Sequence, residues 1–346
     1  MKPVSAFNPH ERGLARKRFF AVFATGIVFI LGVGGRQVTP KAEAAPQAQN
    51  GLIILPVGTA PITNHTTGLT DDLDLFTLAP DGAGLRRVTE GPAADYDPAW
   101  SPDGTKVAFS RALPYALAGD IYVMNRDGSE LVNVTNTPLD DDFGPDWSPD
   151  GKRIVFTSYT NTASYVINQF APVGEFGADV FVMDADGGNV ARLVAGSGDQ
   201  GLPAWSPDGN WIAFSDRSTG NIELIRLNGT GRKTAAAPGR FEGEAHQAEW
   251  SPDGSWISFT AGPQNNADIW LVRPDGSGLR NLTRANDTHD RWAAWSPDGT
   301  QMVFISNRKR AWKLYRMDSD GGNVRRLIDL ELVGAQFSRP DWGPRP

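Results

Sequence analysis

The sequence predicts an all-β protein, a six-bladed β-propeller of four-stranded antiparallel blades. Three observations predict it. A unit first met as "AWSPDGTKVAFSR", from Ala99 to Arg111, returns as "DWSPDGKRIVFTS", "AWSPDGNWIAFSD", "EWSPDGSWISFTA" and "AWSPDGTQMVFIS". Its tryptophans stand at 100, 147, 205, 250 and 295, and a degenerate sixth copy, "RPDWGPRP", carries Trp342. A period of roughly 40 to 50 residues belongs to propellers and solenoids. Within the unit the apolar residues alternate as in strands, and no stretch has the helical period.

The chain opens differently. A basic cluster, Arg16, Lys17 and Arg18, precedes an apolar run from Phe19 to Val33, and "AEA" at Ala42 to Ala44 fits a small-residue cleavage site. Residues 1–45 read as a secretory signal peptide, with an uncleaved membrane anchor as the alternative. The run is short for a span, which needs roughly 20 apolar residues. Residues 46–51 form a linker and residues 52–346 the propeller. Beyond residue 45 the chain holds 26 Lys and Arg against 38 Asp and Glu, a net charge of −12. Such a surface is a poor match for nucleic acid, whose phosphates call for basic residues. Cysteine is absent, which excludes disulfides and thiolate metal sites.

Each unit reads as four strands. The residues before the Trp form the first strand, and "SPDG" has the Ser, Pro and Gly placement of a type I turn. In the second strand Val107 and Phe109 share one face and Ala108 takes the other; Ile154 and Phe156, Ile212 and Phe214, and Ile257 and Phe259 repeat this. "DIYVMNRDGSELVNVT", "DVFVMDADGGNVARLV" and "DIWLVRPDGSGLRNLT" then give a strand, a DG turn and a last strand. "DADGGN" and "DSDGGN" lack the rest of a calcium loop and are read as hairpin turns. The two ends make the remaining blade. "GLIILPV" and "LDLFTLAPDGAGLRRVTE" supply three strands, and the segment around Trp342 supplies the innermost one. Each Trp is expected to cover the side of a neighbouring sheet, and Asp103, Asp150, Asp208, Asp253 and Asp298 to serve turns.

With these residues in view, the repeat resembles the WD-like repeat of the TolB propeller family over about residues 52–346. The resemblance implies the fold far more firmly than the activity. What precedes the propeller here is the basic and apolar segment rather than that family's separate N-terminal domain, so its roles are not expected to carry over unchanged.

Function is sought where equivalent positions differ. Four residues before each Trp stand Tyr96, Phe143, Gly201, His246, Arg291 and Ser338; five before stand Asp95, Asp142, Gln200, Ala245, Asp290 and Phe337. Both sets are expected to ring the channel mouth. The loops 58–73, 111–119 and 159–178 are long and lie on adjacent blades; the last carries Tyr165, Phe170 and Phe176. "NRKRAWK", Asn307 to Lys313, gives a basic patch. The function expected is an exported, monomeric, non-catalytic binding or scaffold propeller in the cell envelope, periplasmic or extracellular. It would hold a protein, peptide or glycan, without a cofactor and without membrane contact beyond an uncleaved N-terminus. The alternative is an enzyme acting on glycans at the mouth. Oligogalacturonate lyases resemble this fold and work there with His, Gln, Arg and a divalent metal. That resemblance implies His246 and His289 as metal candidates for calcium or manganese, with Gln200, Gln247 and Arg291 nearby.

The N-terminal reading predicts that secreted material begins near Ala45. N-terminal sequencing checks this, and membrane-embedded protein with residue 1 intact would show an anchor instead.

Overall fold

The repeated turn closes on itself. Gly104 N–H donates to the Ser101 carbonyl at 2.8 Å, and Gly104 takes a φ of +68° that L side chains rarely adopt. Ser101 Oγ donates to Asp103 Oδ1 at 2.6 Å and accepts from the Lys106 N–H at 2.9 Å. The same pair of bonds recurs around Ser148, Ser206, Ser251 and Ser296. The serine hydroxyls hold the Asp103, Asp150 and Asp208 carboxyls below their usual range. The turn aspartates therefore serve turns, as expected. "DADGGN" and "DSDGGN" are also hairpin turns, in which Asn189 and Asn323 donate to Asp184 and Asp318.

The structure is a computed structural model describing residues 49–58, 73–114, 118–160, 177–194, 198–263, 266–284, 288–308, 311–329 and 338–346. The chain divides into two units, Met1–Ala45 and Pro46–Pro346, and the described residues all belong to the second. The apolar run Phe19–Val33 lies outside them. Among the described residues no helix is long and apolar enough to cross a membrane.

Those residues form six four-stranded antiparallel sheets. The first blade runs from its inner strand β4 (Ala94–Trp100) through β5 (Lys106–Ala112) and β6 (Gly119–Asn125) to β7 (Val132–Asn133). The second has β8 (Asp141–Trp147), β9 (Arg153–Tyr159), β10 (Asp179–Asp184) and β11 (Ala191–Val194); the third has β12 (Gln200–Trp205), β13 (Trp211–Asp216), β14 (Asn221–Arg226) and β15 (Lys233–Ala236). The fourth has β16 (Ala245–Trp250), β17 (Ile257–Ala261), β18 (Asp268–Val272) and β19 (Arg280–Asn281); the fifth has β20 (Asp290–Trp295), β21 (Gln301–Ser306), β22 (Lys313–Asp318) and β23 (Arg325–Arg326). The sixth blade closes the ring in the order β24 (Asp341–Pro344), β1 (Asn50–Gly58), β2 (Leu73–Leu78) and β3 (Arg86–Arg87). This is the closure read from the sequence, with β1 starting slightly before residue 52.

Six buried apolar clusters each span one seam between blades. At the seam of the first and second, Trp147, Ile154 and Phe156 meet Ala99, Ala108 and Ile121. At the closing seam Trp100, Val107 and Phe109 meet Ile54 and Leu75. Each Trp thus faces the preceding blade, and Trp147 Nε1 donates to the Ala99 carbonyl there at 3.2 Å. Within a blade, Thr89, Thr135 and Thr283 accept the N–H of Leu75, Ile121 and Ile269, tying the outermost strand to the third. This gives the recurring "LT" and "VT" a job.

The closing strand needs close approach. A Cβ on Gly343 would stand 2.4 Å from Trp100 Cγ, and one on Gly51 would stand 2.2 Å from the Pro344 carbonyl oxygen. Deleting residues 338–346 removes Trp342 from the last seam and exposes the β1 edge. We expect a sharply lower melting temperature or lost solubility. Trp342→Ala alone should cost about 3–5 kcal/mol by denaturant melts; near-native stability of the truncated chain would refute this closure.

Candidate functional site

Every inner strand of the first five blades carries the same irregularity. Pairing with the second strand slips between the fourth and first residues before the Trp, as between Tyr96 and Ala99 or His246 and Glu249. The third residue before the Trp lies in the slip with positive φ: Asp97 +49°, Gly144 +62°, Leu202 +53°, Gln247 +58° and Trp292 +63°. Such bulges re-aim side chains. Each bulge N–H donates to a hydroxyl outside its own blade: to Ser338, Ser110, Thr157, Ser215 and Thr260, at 2.8–3.3 Å. In the sixth blade the equivalent residue is Arg339, whose guanidinium donates to the Pro145 carbonyl of the second blade at 2.6 Å.

The channel therefore has three levels. At the mouth stand Tyr96, Phe143, His246 and Arg291, all half-buried, from four blades, while Ser338 is buried. Phe143 stacks on Tyr159 at 5.7 Å. The Tyr159 hydroxyl donates to Asp199 at 2.9 Å, and burial raises its pKa to about 12. Burial also raises that of Tyr96. Arg291 lies over the Trp312 ring at 4.7 Å, with its Nη2 3.4 Å from His289 Nδ1. Trp312 also meets the His289 ring edge-on at 5.5 Å. Desolvation, then the charge of Arg291, depresses both His246 and His289 to about 4, so both are neutral at pH 7. Burial pushes Arg291 itself down to about 10.

At the waist Leu202, from the third blade, joins Trp292, from the fifth, in one buried apolar cluster, with Phe143 packed against it. Those blades are not neighbours, so the cluster extends from the seam of the fifth and sixth blades to the third. Gln247, 3% exposed, lies in the blade between them, and both atoms of its amide are without a partner among the described residues.

At the floor, the residue before the Trp is an acid on alternate blades: Asp146, Glu249 and Asp341. Each accepts the Trp N–H of the next blade, at 2.6, 3.3 and 2.7 Å. Together with Arg339 they line a well of about 130 Å³. Desolvation raises all three, Asp146 to about 6, and Arg339 offsets part of the rise.

The five-before-Trp positions do not sit on the rim. Asp95, Asp142, Gln200, Ala245 and Asp290 are at most 2% exposed. Side chains alternate along a strand, so when the fourth residue faces the mouth the fifth turns inward. Asp95 pairs with Arg111 at 2.6 and 2.8 Å, Asp290 with Arg308 at 2.5 Å, and Asp142 accepts from Thr137 at 2.6 Å. The basic patch is divided likewise: Arg308 serves Asp290, Lys313 pairs with Asp329 at 2.6 Å, and Trp312 carries Arg291. Tyr165, Phe170, Phe176 and Phe337 lie outside the described residues, as does most of loop 58–73. The waist and the floor were missed by the sequence reading, although the acid, alanine alternation before each Trp is visible in the repeats.

His246 and His289 do share one electrostatic neighbourhood. The Arg291 guanidinium occupies it too and repels a divalent cation. Among the described residues no group of three or more His, Cys, Asp or Glu is placed to hold a metal ion.

Known proteins agree with this geometry. The profile of the TolB beta propeller domain matches residues 164–346, just over half of the chain. The chain belongs to the TolB β-propeller family. A TolB homolog of Chlorobium luteolum is 29% identical over 160 residues, which is 46% of this chain and 32% of that protein. The chain thus spans about a third of that relative. The TolB crystal structure from Acinetobacter baumannii superposes with a TM-score of 0.66 at 20% identity, covering 85% of this chain and 67% of that one. An oligogalacturonate lyase of Vibrio parahaemolyticus superposes with a TM-score of 0.52 at 14% identity, over 82% and 83% of the chains. Likenesses at such identity show the fold alone. In the TolB-family frame the five WSPDG units set the blades, and the channel residues are where this chain's own repeats differ from one another.

Proton linkage in the channel has a sign. The floor carboxyls hold protons more tightly folded than unfolded, so their stabilising contribution is full below the unfolded carboxylate range. It is lost as pH rises through about 6 for Asp146. The imidazoles work oppositely: they cost stability as pH falls from about 6.5 toward their folded values of about 4. Asp146→Asn keeps an acceptor for Trp205 and removes the desolvated charge. Its melting temperature relative to the parent should rise more at about pH 8 than at about pH 5; an equal difference at both would refute the assignment.

Proposed function

We propose that this chain is an exported, non-catalytic binding or scaffold propeller. It presents its channel mouth and loop face to a protein, peptide or glycan of the cell envelope, in the periplasm or outside the cell. The observation that carries this reading is the mouth itself. Tyr96, Phe143, His246 and Arg291 occupy equivalent positions on four blades yet are four different residue types, so the blade does not dictate them. Beneath them Leu202 and Trp292 belong to one buried apolar cluster, which gives the mouth an apolar base. Aromatic rings beside a guanidinium are the residue types enriched at the cores of interfaces.

The long loops extend this seat. The second blade's insertion carries Tyr165, Phe170 and Phe176; loop 111–119 belongs to the first blade and loop 58–73 to the sixth beyond it, and aromatic residues on such loops are of the kind a partner covers. Asp95, Asp142 and Asp290 act behind the seat, their bonds to Arg111, Thr137 and Arg308 fixing the strands that present it. Residues 1–45 deliver the domain as a cleaved export signal or hold it as an anchor. The mature domain acts as a monomer, without a cofactor.

The test replaces 161–176 by a short turn like that at 216–220 and measures binding to a partner captured by the mature domain. The blades should fold, because no strand among the described residues is touched and loop length costs little. Affinity should fall at least about tenfold, or roughly 1.4 kcal/mol. Undiminished binding by the shortened protein and by an Arg291→Ala variant would overturn the proposal.

A further inference from the structure

Several arginines on the blades have a carboxylate of their own: Arg87 with Asp74, Arg111 with Asp95, Arg192 with Asp179, Arg232 with Asp216 and Arg308 with Asp290. Arg153 and Arg226 do not. They flank a groove of about 730 Å³ at the seam of the second and third blades, together with Trp211, Asn210 and Asn228. Neither guanidinium makes a hydrogen bond or ion pair among the described residues. Each is instead held over an indole, Arg153 over Trp205 at 5.1 Å and Arg226 over Trp211 at 5.0 Å. Lys233 also lies over Trp211, at 4.6 Å. The fourth blade repeats the device, with Arg273 and Arg280 5.0 and 4.9 Å from the Trp256 ring centre.

Trp205 directly precedes an SPDG turn and Trp211 and Trp256 follow one within two residues, so the basic band lies on the turn face, away from the channel mouth. It belongs to a domain of strongly negative net charge, so it stands out from its own surface. Asp150 feels the Arg153 charge and Asp184 stands opposite Arg153 across the strands; the nearby acids hold other donors as well, Asp150 holding Ser148, Asp184 Asn189, Asp208 Ser206 and Asp275 the Ser277 N–H. An indole underneath fixes a guanidinium's plane while leaving its N–H fork free, the arrangement that takes an oxyanion through two parallel hydrogen bonds.

We propose that this groove and its basic band are a docking site for an acidic segment, rich in Asp or Glu, of a partner protein. Two observations select a peptide over an acidic saccharide. Trp211 packs against the apolar cluster of the next seam and carries two cations over its ring, so no indole face is left for a pyranose to stack on. The groove is an open surface trough, suited to an extended chain. Arg153 and Arg226 grip carboxylates, while the Asn210 and Asn228 side chains border the path of the peptide backbone. The site is independent of the mouth, so it gives the propeller a second face for assembly.

The test measures the fluorescence anisotropy of labelled oligo-glutamate with the full mature chain, against oligo-glutamine and polygalacturonate as competing probes. Oligo-glutamate should bind, oligo-glutamine should not, and added salt should weaken binding. The R153Q/R226Q double variant should lose about tenfold in affinity or more, with R325Q on the fifth blade unchanged. Independently of any variant, oligo-glutamate should protect Arg153 and Arg226 of the wild-type protein from an arginine-specific reagent, read by mass spectrometry. Equal binding of oligo-glutamine, unaltered binding by the double variant or absence of protection would each overturn the proposal. Binding of polygalacturonate in place of oligo-glutamate would reassign the groove to an acidic glycan.

Discussion

The tryptophan that ends each inner strand fixes most of what else the molecule can do. It is the wedge of the seam, buried against the preceding blade, and at about 25 cal/mol per Å² of apolar area removed from water it is among the largest single contributions available to a blade. A wedge needs a recess. Ala99 and Ala108 provide one for Trp147, and at the next seam but one Trp250 is received by Ala204 and Ala213. Where the inner strand offers Asp146, Glu249 or Asp341 instead of alanine, the carboxylate accepts the next tryptophan's N–H. The alternation of small and acidic residues around the channel floor follows from this packing, and so does the concentration of negative charge there.

The bulge is what releases the channel for variation. Its N–H is satisfied by a hydroxyl outside its blade, so the bond that holds the inner strand in place makes no demand on the side chain. Aspartate, glycine, leucine, glutamine and tryptophan all fill the position. A non-glycine residue in the left-handed region carries a small conformational cost, and the ring of hydroxyl contacts stabilises it. Scaffold and variable surface are thus separated within three consecutive residues.

The charge arrangement divides the molecule between two ends. At the mouth, two neutral imidazoles and a partly desolvated guanidinium sit among aromatic rings. On the turn face, guanidinium and ammonium groups ride on indoles. Between them lie an apolar cluster and a carboxylate well. A protein of this form is suited to holding partners on separate faces, because its rigid seams keep those faces at fixed separation.

Blade number, strand order, turn roles and the closing strand were legible in the sequence because each is a local pattern written five times over. Alternation places Phe109 opposite Ala108, SPDG can only turn, and counting strands at the two ends leaves one way to complete a ring. The mouth residues Tyr96, Phe143, His246 and Arg291 were legible by the same alignment. The inward turn of Asp95, Asp142 and Asp290 was not. A one-residue difference in strand register decides which side chain meets water and which meets Arg111 or Arg308, and no local signal marks the slip that sets it. Nor could sequence show that Leu202 and Trp292, separated by an entire blade, join one buried apolar cluster, or that Asp146, Glu249 and Asp341 share one well. Those contacts exist only once the ring is closed, because a propeller brings together at its axis residues that its chain keeps a blade or more apart.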